Sequence, residues 1–353
     1  MPSDILLSIR GLKTHFSTPV GIVSAVDGVS FDLTRGETLG LVGESGSGKT
    51  VTALSVMQLY AKPQGRIVAG KILFEGKDIT AMGEKDMYNI RGNSISMIFQ
   101  EPMTSLNPVY TIGRQIVEAI RAHRAIDKKE AWAIALEALK QVGIPDPERR
   151  LRSYPHELSG GMRQRAMIAM AISCKPTLLI ADEPTTALDV TIQAQILQLL
   201  RELKETMGMS MLMITHDLGV IAEVADKVAV MYGGRIAEYA ETASLFASPM
   251  HPYTRGLMDS IPDIEKESAQ LYSIPGTVPS LIGETKGCRF ANRCPRALPR
   301  CTEEAPELVE AAPGHLVACW NRLGAGDEGP QDKRSSEAEP QSRRMTKGEG
   351  AQP

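Results

Sequence analysis

The chain has 353 residues, of which 42% are hydrophobic and 23% charged, the composition of a soluble globular protein rather than a disordered or fibrous one. Its 39 basic and 42 acidic side chains leave a formal charge of -3, which argues against a protein devoted to the nucleic-acid backbone while leaving room for a local basic patch. No charge-free stretch reaches the roughly 18 residues of a membrane-spanning helix, and the opening MPSDILLSIRG lacks the apolar run of a signal peptide, so a soluble chain that starts in the cytoplasm is expected.

A single core seldom exceeds about 250 to 300 residues, so one main domain with appendages is expected. Short apolar runs at Thr38–Val42, Ile95–Phe99, Thr177–Ala181, Met211–Ile214 and Val228–Met231 alternate with helical periods. That pattern predicts an α/β layer structure with a largely parallel central sheet. The first run passes directly into Gly43-Glu44-Ser45-Gly46-Ser47-Gly48-Lys49-Thr50, a G-x-x-x-x-G-K-[ST] loop between strand and helix, which sets it apart from an ordinary glycine turn. Glycines let successive N–H groups point inward at a triphosphate, Lys49 would neutralise its β- and γ-phosphates, and the Thr50 hydroxyl would ligate Mg²⁺.

Between the second and third runs, Ile116 and Ile120 stand four apart, and Trp132, Leu136 and Leu139 mark a second amphipathic face that stops at Gly143 and Pro145. A helical subdomain over residues 103–160 is expected, inserted into a core of residues 1–102 and 161–235. The third run ends in Asp182 and Glu183. Such a pair can be a helix cap, but beside a phosphate loop it places Asp182 in the Mg²⁺ shell and Glu183 where it can polarise a water toward the γ-phosphate. After about residue 236 the alternation fades into a Pro-rich segment, read as an accessory C-terminal domain over residues 236–323. Residues 324–353 contain no Leu, Ile, Val or aromatic residue and are expected to form a disordered polar tail. No internal repeat is found.

Between the two nucleotide motifs sits Leu158-Ser159-Gly160-Gly161-Met162-Arg163-Gln164-Arg165, which resembles the signature sequence of the ATP-binding cassette (ABC) superfamily. The resemblance implies a P-loop ATPase core in which Leu158, Ser159, Gly160, Gly161 and Met162 grip an ATP held by a second cassette, itself or a sister subunit, closing head to tail. It also implies that Gln100 senses Mg²⁺ and the attacking water, that Thr186-Ala-Leu-Asp189 crosses the dimer with Asp189, and that His216 contacts the γ-phosphate. Phe16 is the candidate for stacking on adenine; its alternative is packing under the first sheet. His251-Pro-Tyr-Thr-Arg-Gly-Leu257, Ile274-Pro-Gly-Thr-Val-Pro279, Glu101-Pro-Met-Thr-Ser-Leu-Asn-Pro108 and the cysteine-bearing tail are similar to the ATPase subunits of bacterial dipeptide and oligopeptide importers, a likeness that covers residues 5–322. It implies integral-membrane permease partners, an extracytoplasmic substrate-binding protein acting indirectly, a place on the cytoplasmic face of the inner membrane, and no nucleic-acid partner. The cargo, whether peptides, nickel chelates or glutathione, is not legible. The rival reading is a soluble ABC ATPase acting on nucleic acid or within a cytosolic enzyme complex, but neither a coiled coil, a second cassette nor a basic face is found.

Of five cysteines, Cys288, Cys294, Cys301 and Cys319 crowd into the last quarter, with five, six and seventeen residues between them and no C-x-x-C pair. The resemblance implies a [4Fe-4S] cluster at these positions; a zinc site, or thiols or disulfides without metal, are the alternatives. His315, in Pro-Gly-His, could replace one ligand but reads more simply as a surface histidine, and Cys174 as a small buried hydrophobe.

Overall fold

The computed structural model of the chain describes residues 4–100, 105–186, 188–261, 272–283 and 285–324. Strands β1 (Ile5–Thr18) and β2 (Gly21–Thr34) pair antiparallel, with Ile9 opposite Phe31. β3 (Thr38–Val42) feeds the phosphate loop and α1 (Lys49–Val56), after which β4 (Gly65–Phe74) and β5 (Lys77–Asp78) close a sheet of order β2-β1-β4-β5. Next come α2 (Glu84–Ile90) and β6 (Ile95–Ile98). The helical section follows: α3 (Ile112–His123), α4 (Lys128–Gln141), α5 (Pro147–Arg150) and α6 (Gly160–Ile172). Then come β7 (Leu178–Asp182), α7 (Val190–Met207), β8 (Ser210–Thr215), α8 (Leu218–Val224), β9 (Lys227–Tyr232) and β10 (Arg235–Glu241). The chain goes on through α9 (Thr242–Ala247), α10 (Pro252–Asp259), α11 (Pro299–Glu303), β11 (Val309–Ala312) and β12 (His315–Val317).

All five expected runs are strands, within one residue at each end, and they are five of the eight strands of the second sheet, of order β11-β12-β10-β9-β3-β8-β7-β6. β9, β3, β8, β7 and β6 run parallel. Every residue of β3, β7 and β8 is buried, as expected where elements cover both faces of a parallel sheet and the strands read as continuous apolar runs. On one face lies a core with Ile116 and Ile120 of α3, Leu139 of α4 and Leu200 of α7; on the other, Leu41, Ile180 and Leu212 meet Leu7, Phe31 and Ile72 of the antiparallel sheet.

Local sequence explains the helix limits. Thr111, Asp127 and Asp189 each accept a backbone N–H to cap α3, α4 and α7, and Gly208 ends α7 in a left-handed conformation. Beyond residue 236 the chain still contributes to the sheet. β10 pairs antiparallel with β9, and β12 and β11 add to it, so the C-terminal segment is hydrogen-bonded to the nucleotide core. Among the described residues no helix is long and apolar enough to cross a membrane. The expected polar tail lies outside the described residues except for Gly324, as do residues 101–104 of the segment after Gln100.

Candidate functional site

The loop between β3 and α1 forms an open-rimmed cup. Ser45 and Gly46 are exposed, whereas Ser47 and Lys49 are buried. Two positions require glycine. A Cβ on Gly43, at φ +150°, would stand 2.1 Å from the Met231 carbonyl oxygen, and one on Gly48, at φ +100°, would stand 2.4 Å from that of Ala25. Lys49 Nζ donates to the carbonyls of Gly43 (2.7 Å) and Glu44 (3.0 Å), which holds the side chain folded back along the loop. Burial pulls its pKa down, while Glu183, Asp182 and Glu44 pull the other way. A cation held at 5% exposure is a strong attractor for a polyphosphate, because the cost of its desolvation is already met in the folded chain.

At the end of β7 the two acids part ways. Asp182 is 2% exposed and accepts from the Thr50 hydroxyl at 3.2 Å. Burial raises its pKa to about 6, with the Glu183 charge adding to the rise and Thr50 and Lys49 opposing it. Two oxygen donors thus converge where a hard divalent cation would be held, which suits Mg²⁺. Glu183 collects three partners: Gln100 Nε2 and Thr186 Oγ1 donate to Oε2 at 2.9 and 3.0 Å, and His216 Nδ1 lies 3.1 Å from Oε1. Burial pushes this carboxyl up, but the bonds from His216 and Thr186 and the charges of His216 and Lys49 outweigh it and hold its pKa below the usual value. Its backbone sits at φ +46°, a left-handed conformation rare outside glycine. The Glu183 N–H bond to Ile214 O (2.8 Å) and the three side-chain contacts fix it there. Sequence reading places Gln100 and His216 beside the acids; Thr186 is a third partner that it misses.

Ser159 caps α6, its hydroxyl accepting from Met162 N–H at 3.3 Å. Leu158 is buried beneath, and Ser159 and Gly160 are exposed while Gly161 and Met162 are half-buried. The helix is tied to the acidic turn, because buried Gln164 donates to the Pro184 carbonyl at 2.5 Å. Asp189 is exposed and caps α7, followed by Val190 at 84% exposure; Ala187 of that loop lies outside the described residues. Phe16 is half-buried on β1, opposite Val23 and Gly65, and its ring occupies the space where a Gly65 side chain would be.

The four C-terminal cysteines line one small cavity together with His251, Phe290 and Trp320. All are free, and among the described residues no three His, Cys, Asp or Glu side chains are gathered to hold a metal ion. The zinc and iron–sulfur expectations therefore gain no support from a ready-made ligand set. Burial raises the pKa of Cys288 and Cys294 and pushes that of Cys319 up to about 12. His315 is not on the surface: it is 3% exposed and its Nε2 lies 2.7 Å from Glu238 Oε1, so it ties β12 to β10. Cys174 is buried, as expected.

A parallel sheet with a phosphate loop at one strand end, an acidic turn at the next but one, and a signature helix tied to that turn defines the class: this is an ABC ATPase. Comparison with known proteins narrows it. The ABC transporter family model matches residues 26–186, and the oligopeptide/dipeptide transporter C-terminal region matches residues 237–301. The chain is 55% identical to a probable peptide ABC transporter ATP-binding protein, y4tR, of Sinorhizobium fredii (90% of this chain, 95% of the relative). It is 53% identical to the oligopeptide transport ATP-binding protein AppD of Bacillus subtilis (89% and 96%), and 49% identical to the oligopeptide transport ATP-binding protein OppD of Salmonella typhimurium (90% and 94%). Among solved structures it resembles the dimeric post-hydrolysis cassette MJ0796 bound to ADP and Pi, with TM-score 0.60 and 25% identity over 67% of this chain and 98% of that one. It also resembles cbiO1 of Clostridium perfringens, part of an ABC transporter complex, with TM-score 0.59 and 26% identity over 69% and 91%. The chain belongs to the ABC transporter family, in its oligopeptide/dipeptide group.

Proposed function

We propose that the chain hydrolyses ATP to power import of dipeptides, oligopeptides or related small cargo through a membrane permease, from the cytoplasmic face of the inner membrane. An extracytoplasmic binding protein would deliver the cargo. The N–H groups of the loop from Gly43 to Thr50 and the Lys49 ammonium take the β- and γ-phosphates, and Phe16 offers its ring to the adenine. Thr50, Asp182 and Gln100 would hold Mg²⁺, whose charge offsets that of the phosphate oxygens. Glu183, ionised at neutral pH by its donors, accepts the proton of the attacking water, while Gln100 and His216 keep the carboxylate and water aligned. Ser159 and Gly160 point their helix N-terminus at the ATP of a second cassette, and Asp189 lies at that junction. An apolar groove of about 260 Å³ between core and helical section, lined by Met57, Leu59, Phe99, His123, Met167 and Met170, would receive a helix of the permease, so that closure of two cassettes moves the transport path.

The observation that carries this reading is the meeting of Gln100, Thr186 and His216 on Glu183, next to Asp182 and the phosphate loop. Glu183→Gln keeps the shape but removes the base. It is expected to bind ATP and lose nearly all turnover, a fall of about 10²-fold or more; substantial steady-state hydrolysis by the purified variant would refute the assignment. The four cysteines share the lining of one cavity, and the [4Fe-4S] cluster implied by the family resemblance, in which each thiolate would take a separate iron, is the cofactor to test there. Protein prepared without oxygen is then expected to be brown and to bleach on Cys294→Ser; colourless, iron-free protein would remove that cofactor.

A further inference from the structure

The cysteine-bearing segment reads from sequence as an accessory domain, yet one of its arginines, Arg293, reaches the phosphate loop directly and a second, Arg289, supports it through a neighbouring turn; each is next to a cysteine. Arg293, beside Cys294, grips the Glu44 carboxylate with both ends of its fork, Nη1 to Oε2 at 2.5 Å and Nη2 to Oε1 at 2.9 Å. The guanidinium itself is fixed: Nε donates to Pro275 O (2.9 Å), Nη2 to Ile274 O (3.1 Å) and Nη1 to the Tyr232 hydroxyl (3.2 Å), and the side chain is only 6% exposed. Glu44 is the first residue after Gly43, and its own N–H donates to the Tyr253 hydroxyl at 2.8 Å. Arg289, beside Cys288, donates to the Gly233 carbonyl and to Asp27, and Gly234 N–H in turn donates to Ser47 O at 2.8 Å. The loop is thus held from behind at Glu44 and at Ser47.

We propose that Arg293 is a positioning residue for ATP binding. It holds the Glu44 carboxylate neutralised and against the C-terminal segment, so that no uncompensated negative charge faces the incoming phosphates and the loop keeps its inward curl. Arg289 supports the same loop through the Gly233–Gly234 turn. The inference rests on the reading of Gly43–Thr50 as the ATP site. It makes the cysteine segment part of nucleotide affinity, because a displacement of Arg293 changes the charge at the rim of the loop.

The test uses the full-length chain, a fluorescent N-methylanthraniloyl ATP with Mg²⁺ as probe, and ATPase kinetics. Arg293→Ala is expected to raise Kd and KM together by about tenfold, the range for losing a charge-assisted, part-buried partner, with kcat changed less than about twofold. Adding Glu44→Gln removes the exposed charge and is expected to recover most of the affinity. An unchanged Kd for Arg293→Ala overturns the proposal. A raised Kd that Glu44→Gln does not recover also overturns it, since the ion pair would then be only a staple of the C-terminal segment. Should Arg293→Ala not fold, Arg293→Lys, which keeps the charge but not the fork, is expected to raise Kd by about threefold, and no rise overturns the proposal. Lys49→Ala in the same titration separates the two readings: affinity unaffected by that change would remove the ATP site itself, whereas failure confined to Arg293 leaves it standing.

Discussion

Asp182 and Glu183 are neighbours in the chain and opposites in acid strength, and the difference follows from what each one faces. Asp182 is buried with one hydroxyl for company and titrates near 6; Glu183 has three partners, His216 among them, and stays ionised. Environments that push two acids apart assign them different work. For the chain without metal the sign is clear. Asp182 titrates at 3.8 unfolded and about 6 folded, so the folded form holds the proton more tightly, and the stability this provides is present below about pH 4 and lost as pH rises through 6. Asp182→Asn is therefore expected to stabilise the metal-free, nucleotide-free protein at pH 7.5 by about 1 to 3 kcal/mol, to gain little at pH 4, and to abolish hydrolysis. Denaturation curves at the two pH values check this; a destabilised variant at pH 7.5 would show that the Thr50 bond outweighs burial.

At the level of elements, legibility followed locality. The phosphate loop, the acidic pair and the signature each occupy a few consecutive residues, and the five parallel strands are short enough and apolar enough to stand out. The antiparallel sheet was not legible, because β1 and β2 carry several register shifts that break the alternation of sides. β12 has three residues, too few for a pattern. The contacts of Tyr253 and Arg293 with Glu44 span 209 and 249 residues, and nothing near either residue announces them. Where the C-terminal segment joins the sheet, Glu238 is fully buried and takes the N–H groups of Met250 and His251 as well as His315. His251 is buried too, and its Nδ1 accepts from Tyr253 N–H to cap α10. Burial lowers its pKa from 6.5 to about 4, with Glu238 opposing. Stability is therefore expected to fall as pH drops from 6.5 toward 4, by at most about 3 kcal/mol, because the unfolded chain takes the proton first. His251→Asn keeps a capping acceptor but cannot titrate, and its acid loss should be smaller by that amount. Equal losses in parent and variant would place the acid sensitivity elsewhere.

For the whole molecule, the question is why one chain carries two phosphate grips. On the proposed reading the loop before α1 holds the chain's own ATP, whereas Ser159 and Gly160 at the start of α6 stand exposed, a helix N-terminus whose N–H groups would meet the ATP of a second cassette. The tie from Gln164 to Pro184 and the bond from Thr186 to Glu183 connect the start of α6 to the proposed catalytic base, so a second cassette closing on α6 would be felt at Glu183. If Ser159 and Gly160 take the ATP of a second cassette as proposed, ATP is expected to bring two copies together. Glu183→Gln with ATP is expected to elute as a dimer in light scattering. Adding Ser159→Arg places a long side chain over the grip and is expected to return the protein to a monomer while leaving its affinity for the fluorescent ATP analogue within about twofold. If Ser159→Arg instead lost affinity as far as Lys49→Ala does, the signature would be touching the chain's own nucleotide, and head-to-tail closure could not be how this ATPase works.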